Sequence, residues 1–192
     1  NELYFWEDDE SENDLILFTG NTQAVTPEGQ YIIADEVLDT CVGFGVKRVY
    51  CIAGFRTGRP VERPRVYGAV TDRALMEKIG KYGVLPMREG NVGGVNGLLF
   101  GLAKTKGLEG ICLLGETPGY TTATGHQLVD TKAVRAVLDV VTKMLGIEVD
   151  MAPLEEQIKQ TEELIERLAA VRRRMDEEVS RAASEAETRY II

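Results

Sequence analysis

Short apolar runs alternate with helical patterns over the first two thirds of the chain, and this alternation constrains the fold more than any other feature. The runs at 15–18, "LILF", and 49–54, "VYCIAG", are continuously apolar rather than apolar at every second position. Strands that are covered on both faces have this pattern. The alternation therefore predicts an α/β fold, a three-layer α/β/α sandwich around a largely parallel or mixed sheet, with a long C-terminal helical extension.

The boundaries of the predicted elements follow from turn residues and capping signals. Thr26 and Asp72 stand at N-cap positions, and Pro27 stands at a first helical position. The predicted strands are residues 2–6, 14–19, 48–55, 65–71, 84–87 and 110–114. The predicted helices before the tail are residues 27–44, 73–82, 96–105 and 131–145.

The tail of the chain carries a different pattern, in which apolar residues recur at a four-three spacing for about five heptads. We expect this coiled-coil-like stripe to form a helix interface through Leu154, Ile158, Ile165, Leu168 and Met175. A helix of about 35 residues would extend about 50 Å, further than a domain of this size can cover. The stripe then packs on its own domain, packs on a sister subunit, or projects as an arm. We accordingly divide the chain into an α/β/α domain, residues 1–150, and a helical arm, residues 151–192.

Composition and charge exclude several classes of function. The net charge of −9 argues against a nucleic-acid partner, because phosphate binding needs clustered Lys and Arg. No apolar run approaches the ~20 residues that span a bilayer, so we expect no membrane partner. Three isolated cysteines, Cys41, Cys51 and Cys112, fit buried thiols in a reducing cytoplasm. The single histidine, His126, argues against a transition-metal site and is expected to lie in a surface loop.

A glycine-rich loop between Gly90 and Gly97 precedes the third predicted helix. Glycines at a helix N-terminus can cradle an anion, so Gly93, Gly94 and Gly97 form a possible ligand loop. Their spacing matches neither the dinucleotide fingerprint nor the P-loop. Close helix packing and a tight entry turn remain the main alternative to a phosphate site.

Glu116 follows the apolar run 110–114, at a predicted strand end where open α/β sheets collect ligands. It could serve a ligand site, or it could accept hydrogen bonds from loop amides and support the turn at Pro118. We favour the structural role. The chain has no G-x-S-x-G nucleophile elbow, and no spacing supports a Cys-His hydrolase.

The chain begins "NELYFW" without an initiator Met, from which we expect that an N-terminal piece is missing. In that case the predicted sheet could lack strands.

The segment "GVNGLLFGLAKTKGLEGICLLGETPGY", followed by "DTKAVRAVLDVVTKMLGIEVDMAPLEEQ", resembles the proteasome-assembly chaperone family of archaea. "NELYFW", "LILFTGNTQ" and "PRVYGAVTD" are similar to earlier segments of that family, so the resemblance extends to about Gln157. Members are also labelled ATP-grasp or carboxylate-amine ligase relatives. The resemblance implies a phosphorylase/hydrolase-like α/β/α fold, a homo-oligomer, and no catalysis, cofactor or metal.

The same resemblance implies that proteasome subunits or a partner chaperone bind the C-terminal helices. Some relatives end in a hydrophobic-Tyr-any tripeptide that enters pockets between α-subunits. Here the chain ends Tyr190-Ile191-Ile192, so the tyrosine is third from the end and follows Arg189. These last three residues are the expected partner-binding contact.

Our leading hypothesis is a cytoplasmic, non-catalytic proteasome-assembly chaperone or adaptor that homo-oligomerises and docks through its C-terminal helices. The alternative from the enzyme class is a nucleotide- or nucleoside-handling enzyme that uses the Gly90–Gly97 loop and Glu116. A third possibility is a structural oligomer whose helices only bundle with each other.

Overall fold

The computed structural model describes residues 1–7, 14–121, 125 and 127–189. It contains two compact units, which are described separately. The first consists of Asn1–Pro118 with Lys132–Val149, and the second of Gly119–Thr131 with Asp150–Ile192.

A four-stranded mixed sheet forms the centre of the first unit, in the order β3-β6-β4-β5. Strands β3 and β6 are parallel and in register from Arg48 opposite Glu109 to Arg56 opposite Thr117. Strand β4 is antiparallel to β6, and β5 is parallel to β4. The strands are β3 (Arg48–Arg56), β4 (Val66–Val70), β5 (Leu85–Pro86) and β6 (Glu109–Thr117).

Helices cover both faces of this sheet, which confirms the predicted α/β/α layering. Cys112 and Leu114 of β6 belong to one buried cluster, whereas Ile111 and Leu113 belong to the other. Helices α1 (Pro27–Gly43) and α3 (Gly94–Ala103) supply the first cluster, and α2 (Arg73–Gly80) and α4 (Thr131–Leu145) supply the second. Strand β6 is apolar at successive positions because it is covered on both sides.

The two N-terminal strands form a separate sheet. Strand β1 (Glu2–Trp6) pairs antiparallel with β2 (Leu15–Thr19), and within the described residues neither pairs with the four-stranded sheet. The sequence pattern predicted that all of the strands belong to one central sheet. That prediction is wrong for β1 and β2. Strand β1 is exposed along its length, although Phe5 packs against Phe44 with 5.1 Å between ring centroids.

Several predicted boundaries also differ from the structure by one or more residues. The strand at 84–87 is reduced to Leu85–Pro86, where Pro86 has no N–H to donate to a ladder. Helix α3 begins at Gly94 and ends in a 3₁₀ turn, Lys104–Lys106. Strand β6 continues to Thr117, so Glu116 lies within the strand rather than in a loop after it.

The second unit contains the long helix α5, which runs from Ala152 to Arg189. Its 38 residues correspond to a length of about 57 Å. Asp150 stabilises the start of this helix, because its Oδ1 accepts a hydrogen bond of 2.9 Å from the Ala152 backbone N–H. Among the described residues, no helix has the length and apolar character needed to cross a membrane.

Candidate functional site

Glu116 lies in an interior position of the sheet and is bound by a single arginine. Its side chain is 7% exposed, and Arg65 lies opposite it where β4 begins. The Arg65 Nε donates to Oε2 at 2.9 Å, and Nη2 donates to Oε1 at 2.8 Å. The Arg65 backbone N–H also donates to Oε2 at 3.2 Å. Both carboxylate oxygens therefore accept hydrogen bonds from the same residue.

This geometry gives Glu116 a structural role. Hydrogen bonds from the Arg65 guanidinium outweigh the effect of burial and lower the pKa of the Glu116 carboxyl. A general acid at neutral pH needs a raised pKa, which is the opposite direction. The pair fastens the β3–β4 connection to the end of β6. Hydrogen bonding to Glu116 also raises the pKa of Arg65, so both groups stay charged.

Arg65 is a residue whose role the sequence does not reveal. A carboxylate in a buried strand signals that a cation must lie nearby. The end of β3 and the β3–β4 connection offer Arg56, Arg59, Arg63 and Arg65, and the sequence gives no means to choose among them. The antiparallel register of β4 with β6, which places Val66 opposite Gly115, selects Arg65.

The glycine-rich loop is shaped by close packing. A Cβ added at Gly97 would lie 1.9 Å from the carbonyl oxygen of Val92. A Cβ added at Gly94, where φ is +69°, would lie 2.3 Å from the Gln23 side-chain oxygen. By contrast, a Cβ at Gly93 would meet no atom within 4 Å. Gly94 and Gly97 therefore permit the entry turn and the close approach at the start of α3.

Gln23 occupies the position at which an anion would bind the α3 N-terminus. Its Oε1 accepts a hydrogen bond of 3.1 Å from the Val95 backbone N–H. A neutral amide oxygen thus satisfies one of the free donors of the first turn. Gln23 lies 72 residues before Val95, and no local sequence signal connects the two.

A cavity of about 290 Å³ adjoins this loop. Its only charged lining residues among those described are Arg88 and Glu89, one of each sign. An excess of cations would favour phosphate, and the described residues of this lining have no such excess. Glu116 and the loop glycines thus contact different residues. Glu116 binds Arg65, whereas Gly94 lies beside Gln23 and Gly97 lies beside Val92.

The cysteines form no nucleophilic site. Cys51 and Cys112 are buried partners in the β3–β6 register. Burial raises the pKa of Cys51 to about 12 and that of Cys112 to about 11, and it also raises the pKa of Cys41. Thiols are nucleophilic as thiolates, and a raised pKa keeps these three protonated at neutral pH. His126 lies outside the described residues.

Helix α5 carries an apolar stripe whose exposure increases along the helix. Leu154, Ile158, Ile165 and Leu168 are half-buried. Further along, the exposed fractions of Val171, Met175 and Val179 are 54%, 61% and 69%. The last three stand four residues apart, so they share one face of the helix. Tyr190, Ile191 and Ile192 lie outside the described residues.

Residues 1–169 match the PAC2 family. The chain belongs to this family. It is 37% identical over 183 residues to the uncharacterized protein MJ1210 of Methanocaldococcus jannaschii, a match that covers 92% of this chain and 67% of that protein.

Two solved structures from Pyrococcus furiosus share the fold. PbaB, an archaeal proteasome activator, is 37% identical with a TM-score of 0.75, over 87% of this chain and 70% of PbaB. PbaA, an archaeal homolog of proteasome-assembly chaperone, is 25% identical with a TM-score of 0.70, over 98% of this chain and 73% of PbaA. The resemblance to the proteasome-assembly chaperone family is thereby confirmed.

Proposed function

We propose that this PAC2 protein is a non-catalytic adaptor or assembly chaperone that homo-oligomerises and docks on proteasome subunits through its C-terminal helices. Similarity to a proteasome activator and to a proteasome-assembly chaperone homolog supports the class of partner. The proposal places the protein in the cytoplasm, where such partners would assemble.

One observation carries the docking role. Val171, Met175 and Val179 form a contiguous apolar stripe on α5 and are each more than half exposed. Exposed apolar residues that stand singly need no explanation, but a run on one helix face is typical of an interaction surface. The half-buried residues earlier in the stripe, such as Ile158 and Ile165, are the proposed helix interface.

The proposed mechanism is multivalent binding. Several α5 helices on one oligomer would raise the effective concentration of each weak contact, without a large individual interface. Tyr190, Ile191 and Ile192 are proposed to supply the terminal contact of each helix.

Deletion of residues 171–192 tests the docking role. We expect the truncated protein to lose co-purification with a 20S proteasome or its isolated α-ring, while the full chain retains it. The same preparations should show equal thermal unfolding of the α/β/α unit, which controls for misfolding. Unchanged co-purification would contradict a docking role for the tail.

The enzyme alternative receives no support from the contacts of Glu116 and the loop glycines. An enzyme of that kind would bind ATP, a purine nucleoside or phosphate at the Gly90–Gly97 loop. We expect isothermal titration of the full chain with each of these to give no saturable heat. A saturable heat that Gly93→Asp abolishes would favour the enzyme.

A further inference from the structure

A second cavity lies at the end of the sheet where β3 and β6 begin, opposite the edge that holds Glu116. It encloses about 250 Å³. Its floor is apolar and is formed by Ile79 of α2, Ile111 of β6 and Met144 of α4. Ile79 and Ile111 are each 1% exposed, so the floor is continuous with the core between the sheet and these two helices. We call this feature the Arg48 cavity.

The rim of the Arg48 cavity carries an excess of positive charge. Arg48, Lys78 and Lys81 line it. The carboxylate beside them is that of Glu109, which pairs with Arg48 and lies 3.8 Å from the Lys78 Nζ. Lys81 makes no ion pair with any described residue. Three cations thus face one carboxylate, on a chain whose net charge is −9.

Arg48 is held in a fixed position. Its Nε donates to Glu109 Oε2 at 2.6 Å, its Nη2 bonds to the same oxygen, and its Nη1 donates to the Tyr50 hydroxyl at 3.2 Å. A guanidinium has five N–H groups, so two remain for another acceptor. Burial disfavours its charge, but the hydrogen bonds with Tyr50 and Glu109 outweigh burial and raise the pKa of Arg48. The cation is therefore both permanent and preorganised.

The two lysines occupy a position where the helix favours positive charge. Lys78 and Lys81 lie at the C-terminal end of α2, whose free carbonyls favour nearby cations. They stand three residues apart, and like charges at this spacing repel each other. An anion bound between them and Arg48 would relieve that repulsion and accept charge-assisted hydrogen bonds.

We propose that the Arg48 cavity binds a small ligand that has an apolar body and one carboxylate. The apolar body rests on Tyr50, Tyr82 and Met144, which line the cavity beside the buried Ile79 and Ile111. The carboxylate meets Arg48 and the two lysines. The volume restricts the ligand, because it lies just below the range of about 300–1,000 Å³ that holds drug-sized molecules. The carboxylate can belong to a free carboxylic acid or to the C-terminal end of a polypeptide with an apolar last residue.

Ligand-observed saturation-transfer NMR on the full chain tests this proposal. The probes are hexanoate for the free acid, hexanamide as its uncharged match, and the peptide acetyl-Gly-Gly-Val-Leu with a free or an amidated C-terminus. We expect at least one carboxylate probe to bind and its amide to fail. Binding of hexanoate alone assigns the site to small acids, and binding of the free peptide alone assigns it to chain ends. Both results support the proposal.

Substitutions at the two ends of β3 test whether the probe binds in the Arg48 cavity. The double substitution Lys78→Ala/Lys81→Ala removes two exposed cations, and we expect it to weaken binding of the carboxylate probe about ten-fold. The matched control, Arg59→Ala/Arg63→Ala, removes two exposed cations from the β3–β4 connection at the other end of β3 and should change nothing. The proposal is overturned if neither carboxylate probe binds, if the amides bind equally well, or if both double variants weaken binding alike.

Discussion

Single residues in this protein take their roles from the atoms that they contact, and some of those contacts are distant in the chain. Glu116 and Arg65 are separated by 51 residues, yet they share three hydrogen bonds. Gly97 has a backbone carbonyl where its side chain would be. The structural role of each position can be tested through stability.

Substitution Glu116→Gln should destabilise the protein by about 1–3 kcal/mol at neutral pH, because it removes the charge from a buried, charge-assisted set of hydrogen bonds. The measurement is urea unfolding of the variant against wild type. Glu62→Gln, on an exposed residue of the β3–β4 connection, is the control and should shift stability by less than about 0.5 kcal/mol. Equal shifts for the two variants would contradict the structural role of the pair.

The contribution of Glu116 should depend on pH. Its folded pKa is lowered by Arg65, whereas an unfolded glutamate titrates near 4.3. The stabilisation is then fully present above about pH 5 and is lost as the pH falls through the folded pKa. The unfolding free energies of wild type and Glu116→Gln should converge as the pH falls through the folded pKa of Glu116. A difference that stays constant from pH 7 down to the pH at which the protein unfolds would show that the charge is not involved.

Two glycines of α3 should respond in opposite directions to the same substitution. Gly97→Ala places a Cβ 1.9 Å from the Val92 carbonyl oxygen and should destabilise by about 1–3 kcal/mol. A Cβ at Gly101 meets no atom within 4 Å, so Gly101→Ala should stabilise by up to about 1 kcal/mol through helix propensity. Thermal unfolding of both variants measures the contrast. Stabilisation by both would remove the argument for close packing at Gly97.

At the scale of elements, α5 differs from the other helices in what its apolar residues contact. Each of the helices α1 to α4 contributes apolar residues to one of the two clusters beside the sheet, although α1 also exposes Tyr31, Ile32 and Val42. The stripe of Val171, Met175 and Val179 stays exposed. The partner that we propose would cover these residues.

Replacement of the stripe should separate docking from helix formation. The triple variant Val171→Gln/Met175→Gln/Val179→Gln keeps good helix formers, and we expect unchanged circular dichroism with at least a ten-fold loss of α-ring binding. The control Arg173→Gln/Glu177→Gln alters the same stretch of α5 without changing net charge. The docking surface lies elsewhere if the triple variant binds as well as this control.

At the scale of the whole molecule, the proposal requires an assembly. Within the described residues α5 is 38 residues long, and the first unit has its own two-sided core. If the segment from residue 171 onward only docks, self-association depends on the rest of the chain, including the half-buried residues of α5. If that segment only bundles with its copies, it is itself the cause of assembly. The two possibilities differ in what truncation does to molecular mass.

Light scattering on the chain truncated before residue 171 distinguishes them. We expect the truncated protein to contain the same number of subunits as the full chain, because the half-buried interface residues, such as Leu154 and Ile165, remain. Collapse to a monomer would mean that the removed segment holds the assembly together, as in the purely structural oligomer.

The sequence by itself determined the layering and the long helix. Continuous apolar runs such as Ile111 to Leu114 require cover on both faces, and the four-three spacing after Met151 requires a helix, because both patterns are local consequences of backbone periodicity. Glycine, proline and capping residues placed most element ends within a few positions. The division at residue 150 stays a prediction.

Only the tertiary structure decided which strands pair and which residues meet. The contacts of Glu116 with Arg65 and of Gln23 with Val95 join segments far apart in the chain. The separation of the β1–β2 sheet from the central sheet and the extension of β6 through Glu116 also appear only in the folded chain. A strand that is apolar on both faces, such as β6, gives no hydrophobic pattern that fixes its register. Periodicity also cannot choose among several equivalent arginines. Those outcomes depend on which arrangement fills the core and satisfies buried polar groups, and that is a property of the folded chain as a whole.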